Sequence, residues 1–226
     1  MSLTELFAVA GVTAWLFMSA FYVLSLIKRD ASLVDIGWGA GFVLIAWVYR
    51  LRFTDALPAG YDVILWLVTV WGLRLAAHIY LRKPVEEDWR YRDMRDRWAG
   101  QFWWRSYIQI FLLQGLLMVV ISAPIIASAY PGTRPAGALW LWIGTGIWLI
   151  GFFFEAVGDW QLDRFIKAKR ARTNPADGPR FMTTGLWRYT RHPNYFGEVV
   201  LWWGLFIAHF GVSGSWWAII GPLTVT

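Results

Sequence analysis

Carboxylates and cations spaced along one stretch give the first indication of chemistry. In "FFFEAVGDWQLDRFIKAKR", residues 152–170, Glu155 and Asp159 stand four apart and share a helix face. They fall at the end of an apolar run, where an ionisable side chain is a functional candidate by default. Arg164, Lys167 and Arg170 follow at a spacing of three. Acceptors at the membrane end and cations at the water end make a strip suited to a phosphorylated nucleotide. Carboxylates would meet ribose hydroxyls or an amide, and guanidinium groups would meet phosphates.

A second polar group stands at "TRHPNYFGEVVLWWG", residues 190–204, where another apolar helix is about to begin. Arg191, His192, Asn194, Tyr195 and Glu198 crowd there, with Arg180, Trp187 and Tyr189 just before them. Taken singly, the arginines also read as topology signals, Trp187 and Tyr189 as interfacial aromatics, and His192 as a turn end. Glu198 resists that reading, because it lies inside the span, one turn after Asn194. A third isolated acid, Asp35, opens an early apolar segment in "SLVDIGWG", residues 32–39. It is a candidate proton donor, a helix-start cap or a partner for the intramembrane Arg74.

The elements that must position these residues are membrane helices. Of 226 residues, 58% are hydrophobic and only 16% charged, against about 45–50% and about 25% in soluble domains. The fold class is therefore all-α, an integral membrane helical bundle. A span needs about 20 mostly apolar residues. Segments near 5–27, 33–49, 62–81, 106–130, 137–160 and 196–212 make six complete spans, and a seventh starts near 215 and stays incomplete at residue 226. The first span lacks the basic leader and small-residue cleavage site of a secretory signal. No repeat or low-complexity linker divides the chain, so 1–226 reads as one transmembrane domain. Within it, 1–136 is expected to form a substrate half and 137–226 a nucleotide half.

Charge orients the bundle. With the N-terminus outside, the inner loops 28–32, 82–105 and 161–195 hold 17 of the 21 Lys and Arg, and the outer loops hold Arg50, Arg52 and Arg134. That asymmetry puts the polar strip on the cytoplasmic side. It also accounts for the net charge of +6 without nucleic acid as partner. With no cysteine, disulfides and thiolate metal sites are excluded, and no metal is expected. Loop 82–105 carries Glu86, Glu87 and Asp88 among its arginines. Adjacent acids oppose an anionic lipid surface, so they are expected to order the loop by pairing with its arginines or with the other loop.

The run "GLWRYTRHPNYFGE", residues 185–198, resembles the C-terminal domain of the steroid 5α-reductase superfamily, most closely its bacterial membrane proteins. "SLVDIGWG", "WGLRLAAHIYLR" (71–82), "EEDWRY" (86–91) and "LQG" (113–115) are similar to the same branch, so the resemblance covers most of the chain. It implies a seven-helix membrane reductase that uses NADPH to saturate a carbon–carbon double bond conjugated to a ketone, with a 3-oxo-Δ4 steroid or similar lipidic enone as substrate. It implies cofactor-binding roles for Asp159, Asn194, Tyr195 and Glu198. Glu155, Arg164, Lys167, Arg170, Arg180, Trp187, Tyr189, Arg191 and His192 join them as candidates. It further implies a last helix and a basic tail beyond residue 226. Family members use a glutamate and a tyrosine near the ketone. Asp35 is the carboxylate that matches here; the match puts Ile79 where the tyrosine stands, which leaves Tyr80, one position along, or His78 as the candidate partner, and Glu87 or Tyr91 is the next donor should Asp35 fail. The expected setting is a monomer in a bacterial inner membrane, with a lipophilic steroid-like substrate and membrane lipid as partners. The alternative is a membrane methyltransferase of the isoprenylcysteine or phospholipid type, which shares an "RHPxYxG"-like motif. Its S-adenosylmethionine has no phosphates and leaves the basic strip without a role.

Overall fold

The computed structural model describes residues 1–83, 86–131, 134–172 and 178–226. Among these every regular element is helical, and the apolar runs of the sequence dictate most of them. α1 (Leu3–Lys28) is capped by Ser2, whose hydroxyl accepts from the Glu5 N–H at 3.1 Å. α2 (Leu33–Arg52) and α3 (Tyr61–Arg82) follow. The chain then runs through α4 (Trp89–Trp98), α5 (Phe102–Ser106), a π-helical stretch (Tyr107–Leu112) and α6 (Leu113–Ile121). α7 (Ala123–Ala129) begins at a bend after Ser122 and has Pro124 in its first turn, where a missing N–H costs nothing. α8 (Ala138–Arg170) is the longest helix, α9 (Pro193–Phe210) is its partner, and α10 (Ile220–Val225) closes the described chain.

Five helical runs are long and apolar enough to cross a membrane: α1, α2, α3, Trp89–Ile121 and α8. The protein is thus a multi-pass membrane bundle. One expectation needs correction: residues 89–105, read as loop, are mostly helical, so a polar helical segment leads into the apolar part of the fourth run. The sixth segment, α9, has 18 residues and rises about 27 Å at about 1.5 Å per residue, and Asn194, Glu198 and His209 dilute its apolar character. The turn expected at 173–180 lies mostly at 173–177, outside the described residues.

The seam that matters most is between α8 and α9. Gly144, Gly151 and Gly158 recur every seventh residue on α8, and Gly197 and Gly204 of α9 with Gly211 at its C-cap keep the same spacing. A Cβ at Gly151 would sit 2.4 Å from the Leu201 nitrogen, and one at Gly197 would sit 2.4 Å from the Glu155 nitrogen. The two backbones therefore touch, as small residues permit in membranes. Gly39 and Gly72 do the same for α2 and α3, each facing the other's carbonyl oxygen at 2.5 Å from its would-be Cβ. These contacts fix which side chains meet at the end of the bundle.

Candidate functional site

The three basic loops gather at one end of the bundle. Lys83, after α3, pairs with Asp30, before α2. Glu87 accepts from the Ala31 N–H at 2.7 Å and from Arg95 at 2.8 Å. Glu86 pairs with Arg92 at 2.9 Å and Asp88 with Arg90 at 3.0 Å. The acids of loop 82–105 order it by pairing with its own arginines, as expected. Burial acts to raise the Asp88 carboxyl, but the hydrogen bonds from Arg90 outweigh it and hold the group below the usual carboxylate range.

Deeper, α3 and α8 are joined by an ionic clasp. Trp71, Arg74, His78 and Arg82 line one face of α3, and Glu155, Asp159 and Asp163 line the facing side of α8. Arg74 donates from one Nη to Glu155 at 2.5 Å and from the other to Asp159. The Trp71 indole N–H donates to the second Glu155 oxygen at 3.0 Å, and the Asn194 amide donates to the second Asp159 oxygen at 3.1 Å. All four carboxylate oxygens thus take a donor from the protein. Glu155 is 3% exposed and Asp159 5%. His78 bridges outward, 3.6 Å from Asp159 and 3.5 Å from Asp163, and Arg82 lies 3.3 Å from Asp163. His78 therefore belongs to the clasp.

Beside the clasp is a cavity of about 240 Å³, walled by Trp38 and Phe42 of α2, Leu117 and Ile121 of α6, Glu198 and Trp202 of α9, and the end of α10. It is apolar apart from Glu198 and Thr224. Glu198 lies within electrostatic reach of Arg74 and Asp159. Among the described residues it has no hydrogen bond or ion pair.

The walls extend to a second polar group. Asp35, Trp38 and Phe42 stand at i, i+3 and i+7 on α2, and Gln114, Leu117 and Ile121 do so on α6. Each set shares one helix face. Where the two faces reach their polar ends stands Tyr91 of α4, 5% exposed. Its hydroxyl donates to Asp35 at 2.6 Å, and the Gln114 side chain approaches the same hydroxyl. Arg90 donates to the other Asp35 oxygen at 3.0 Å.

This settles Asp35's partners: they are Tyr91 and Arg90, and Arg74 is taken by the clasp. The structure does not bring the candidate Tyr80 to Asp35: Tyr80 is 67% exposed. It follows His78 by two residues, roughly 200° round the helix, and so points away from the face that His78 shares with Arg74. Nothing periodic in the sequence announces Tyr91, since 56 residues separate it from Asp35. Arg74 did carry a signal, as a lone cation in an apolar run whose spacing to His78 and Arg82 keeps one face.

The remaining predicted residues lie at the water end of α8 and α9. Arg164, Lys167, Arg170, Arg180 and Arg191 are exposed, and none has a carboxylate partner among the described residues. Arg164 rests over the Trp160 ring at 5.0 Å. The Trp187 indole donates to the Gly158 carbonyl at 3.1 Å, which ties the 185–192 segment to α8. His192 stacks on Tyr195, with ring centres 5.3 Å apart. Tyr189 is 80% exposed and makes no such contact. The Asn194 carbonyl oxygen is buried without a hydrogen-bond partner.

A family described as "Protein of unknown function (DUF1295)" matches residues 21–226. An uncharacterized protein of the fission yeast Schizosaccharomyces pombe is 25% identical over 94% of the chain. The chain spans 66% of that relative's length. No solved structure matches.

Proposed function

The chain belongs to the DUF1295 family, and we propose that it is, like the steroid 5α-reductases its sequence resembles, a membrane-embedded NADPH-dependent reductase of a lipid-soluble conjugated ketone. The observation that carries this reading is the apolar cavity between α2, α6 and α9, lined by a Glu198 that has no partner among the described residues, with Asp35 and its partner Tyr91 on the helix face that supplies the α2 wall. A greasy enone with one polar head fits such a space. Hydride addition at the β-carbon drives an electron pair onto the carbonyl oxygen, and the α-carbon then takes a proton. The sum is enone, NADPH and one proton giving saturated ketone and NADP⁺. Tyr91 would exchange its bond to Asp35 for one to the carbonyl and so stabilise the developing charge. Asp35, paired with Arg90, would hold the hydroxyl in place until substrate enters, and solvent would supply the proton consumed.

The water end of α8 and α9 fits an anionic nucleotide. Five exposed cations lack carboxylate partners among the described residues, the His192–Tyr195 stack offers a flat aromatic surface, and the Asn194 carbonyl oxygen lacks a donor. In this reading Arg164, Lys167, Arg170, Arg180 and Arg191 would hold phosphates, with Trp187, Tyr189, His192 and Tyr195 flanking them. Asn194 and Glu198 would receive donors from the part of the nucleotide nearest the cavity, and Glu155 and Asp159 would position Asn194 and Arg74. NADPH, when bound, supplies the hydride. The surplus of cations over what a pyrophosphate needs favours the 2′-phosphate of NADPH over NADH.

The test is nucleotide binding and turnover by the detergent-extracted protein. NADPH should bind and be oxidised when a 3-oxo-Δ4 steroid or another enone is added. Lys167→Ala or Arg170→Ala should weaken NADPH roughly 10–150-fold, the equivalent of about 1.5–3 kcal/mol for a charged hydrogen bond, and leave NADH almost unchanged. Copurified S-adenosylmethionine with no NADPH binding would overturn the proposal.

A further inference from the structure

α3 and α8 are clasped at one end and stand apart at the other. Past Trp71 and Glu155 the ionic contacts stop, and an open apolar groove of about 490 Å³ takes their place. Trp66 and Val70 form its α3 wall, and Trp148, Leu149 and Phe152 its α8 wall. Trp148 stacks on Phe152 within the α8 wall, ring centres 4.9 Å apart, and Trp66 of the α3 wall meets Trp47 of α2 edge-on at 5.7 Å. Trp66, Val70 and Leu149 are each about half exposed. In a membrane bundle that exposure is to lipid.

The groove has one polar end. Asp62 lines it in the first turn of α3, about 12 Å from Val70 along the helix axis. Arg50, in the last turn of α2, donates from Nε to Asp62 at 2.8 Å. Both side chains stay partly exposed, and among the described residues the two terminal nitrogens of Arg50 have no carboxylate of their own. A cation and an anion side by side, above an apolar slot, complement a headgroup that carries both charges. The free guanidinium fork suits a phosphate, and Asp62 suits an ammonium that can donate hydrogen bonds.

We propose that this groove is a binding site for one phospholipid with a primary-amine headgroup, its acyl chain lying between α3 and α8 and its phosphate and ammonium meeting Arg50 and Asp62. The site is separate from the cavity beside Glu198 and does not depend on the reductase reading.

Native mass spectrometry of the detergent-extracted protein, with phosphatidylethanolamine, phosphatidylcholine or phosphatidylglycerol added, tests it. Wild type should retain one phosphatidylethanolamine in preference to the other two. Val70→Trp fills the slot and should lower the bound fraction by about tenfold or more, equivalent to about 1.4 kcal/mol. Arg50→Gln and Asp62→Asn should abolish the headgroup preference while keeping a bound chain. If Val70→Trp fails to fold, Leu149→Trp blocks the same slot from the other wall. Unchanged retention in a folded, blocked variant overturns the site. So does a wild-type dimer that the blocked variant loses, which would give the groove to a second copy.

Discussion

Arg74 is the most exacting test of the site's construction. Arg74→Met keeps the apolar stem and removes the guanidinium, leaving Glu155 and Asp159, 3% and 5% exposed, as adjacent acids without their cation. Two charged hydrogen bonds are lost, at about 1.5–3 kcal/mol each. Breaking a buried ion pair from one side costs about 3–5 kcal/mol, and the two ways of reckoning agree. For a chain of this length about 1 kcal/mol moves Tm by roughly 2–4 °C, so the loss should be on the order of 6–20 °C. Thermal unfolding in detergent, followed by tryptophan fluorescence, reads it directly, since Trp71 donates to Glu155. The discriminating variant adds Glu155→Gln and Asp159→Asn. Replacing a whole buried ionic group by neutral side chains is often close to harmless, so the triple variant should melt well above Arg74→Met alone. A single variant within about 2 °C of wild type, or a triple variant below the single, would refute the clasp as the element that joins α3 to α8.

Other outcomes follow from particular contacts. Tyr91→Phe and Asp35→Asn should each lower enone turnover by about 10²–10⁴-fold, the range of positioned acid catalysis, with NADPH affinity intact. Tyr80→Phe should turn over normally, and a defect there with a normal Tyr91→Phe would reverse the assignment. Gly197→Ala pushes a Cβ against the Glu155 nitrogen and Gly151 oxygen and should cost about 1–3 kcal/mol or more. Gly146→Ala meets nothing within 4 Å and should be neutral or slightly stabilising, so equal losses would argue against the glycine seam. Asp88, held below the usual carboxylate range, contributes stability above its unfolded value of about 3.9 and loses it as pH falls through its lower folded value. Asp88→Asn should therefore flatten the acid limb of the melting curve, and an unchanged limb would remove Asp88 from the account.

Much of the architecture is legible in the sequence alone, because hydropathy reports burial in lipid directly. The apolar runs located the helices, and the basic loops that share one end in the structure are those that share one side by charge. Helix-local relations were also legible: Glu155 and Asp159 face one way because four residues make about one turn. What could not be read was pairing between helices. Asp35 chooses Tyr91 over Arg74 because the backbone contact of Gly39 with Gly72 and the return of α4 set which faces meet. Neither follows from composition or period. The same limit explains Tyr80, where matching a motif one position off cost about 100° of helix rotation and turned the side chain to the surface. Residues 89–105 were missed for a different reason. Their charges look like loop, and only the pairing of Arg90, Arg92 and Arg95 with Asp88, Glu86 and Glu87 makes a helix there stable.

The three acids along the α8–α9 seam separate structural from ligand-directed roles. Glu155 and Asp159 have every oxygen engaged by a donor of the protein, with Arg74 shared between them, so their burial is explained without a ligand. Glu198 is different. It lines a cavity, feels Arg74 and Asp159 only at a distance, and takes no hydrogen bond from the described residues. An acceptor withdrawn from bulk water without a donor is unfavourable by about 1–3 kcal/mol, more when charged. Such a group is sustained by water or by a ligand donor that enters the cavity. If the donor is a ligand, Glu198→Gln keeps the shape but turns an acceptor pair into one acceptor and one donor, and should weaken nucleotide or enone binding without lowering Tm. If Glu198→Gln melts lower and binds as wild type, the acid serves the fold. The unpaired carboxylate would then have to be explained by ordered water within the seam.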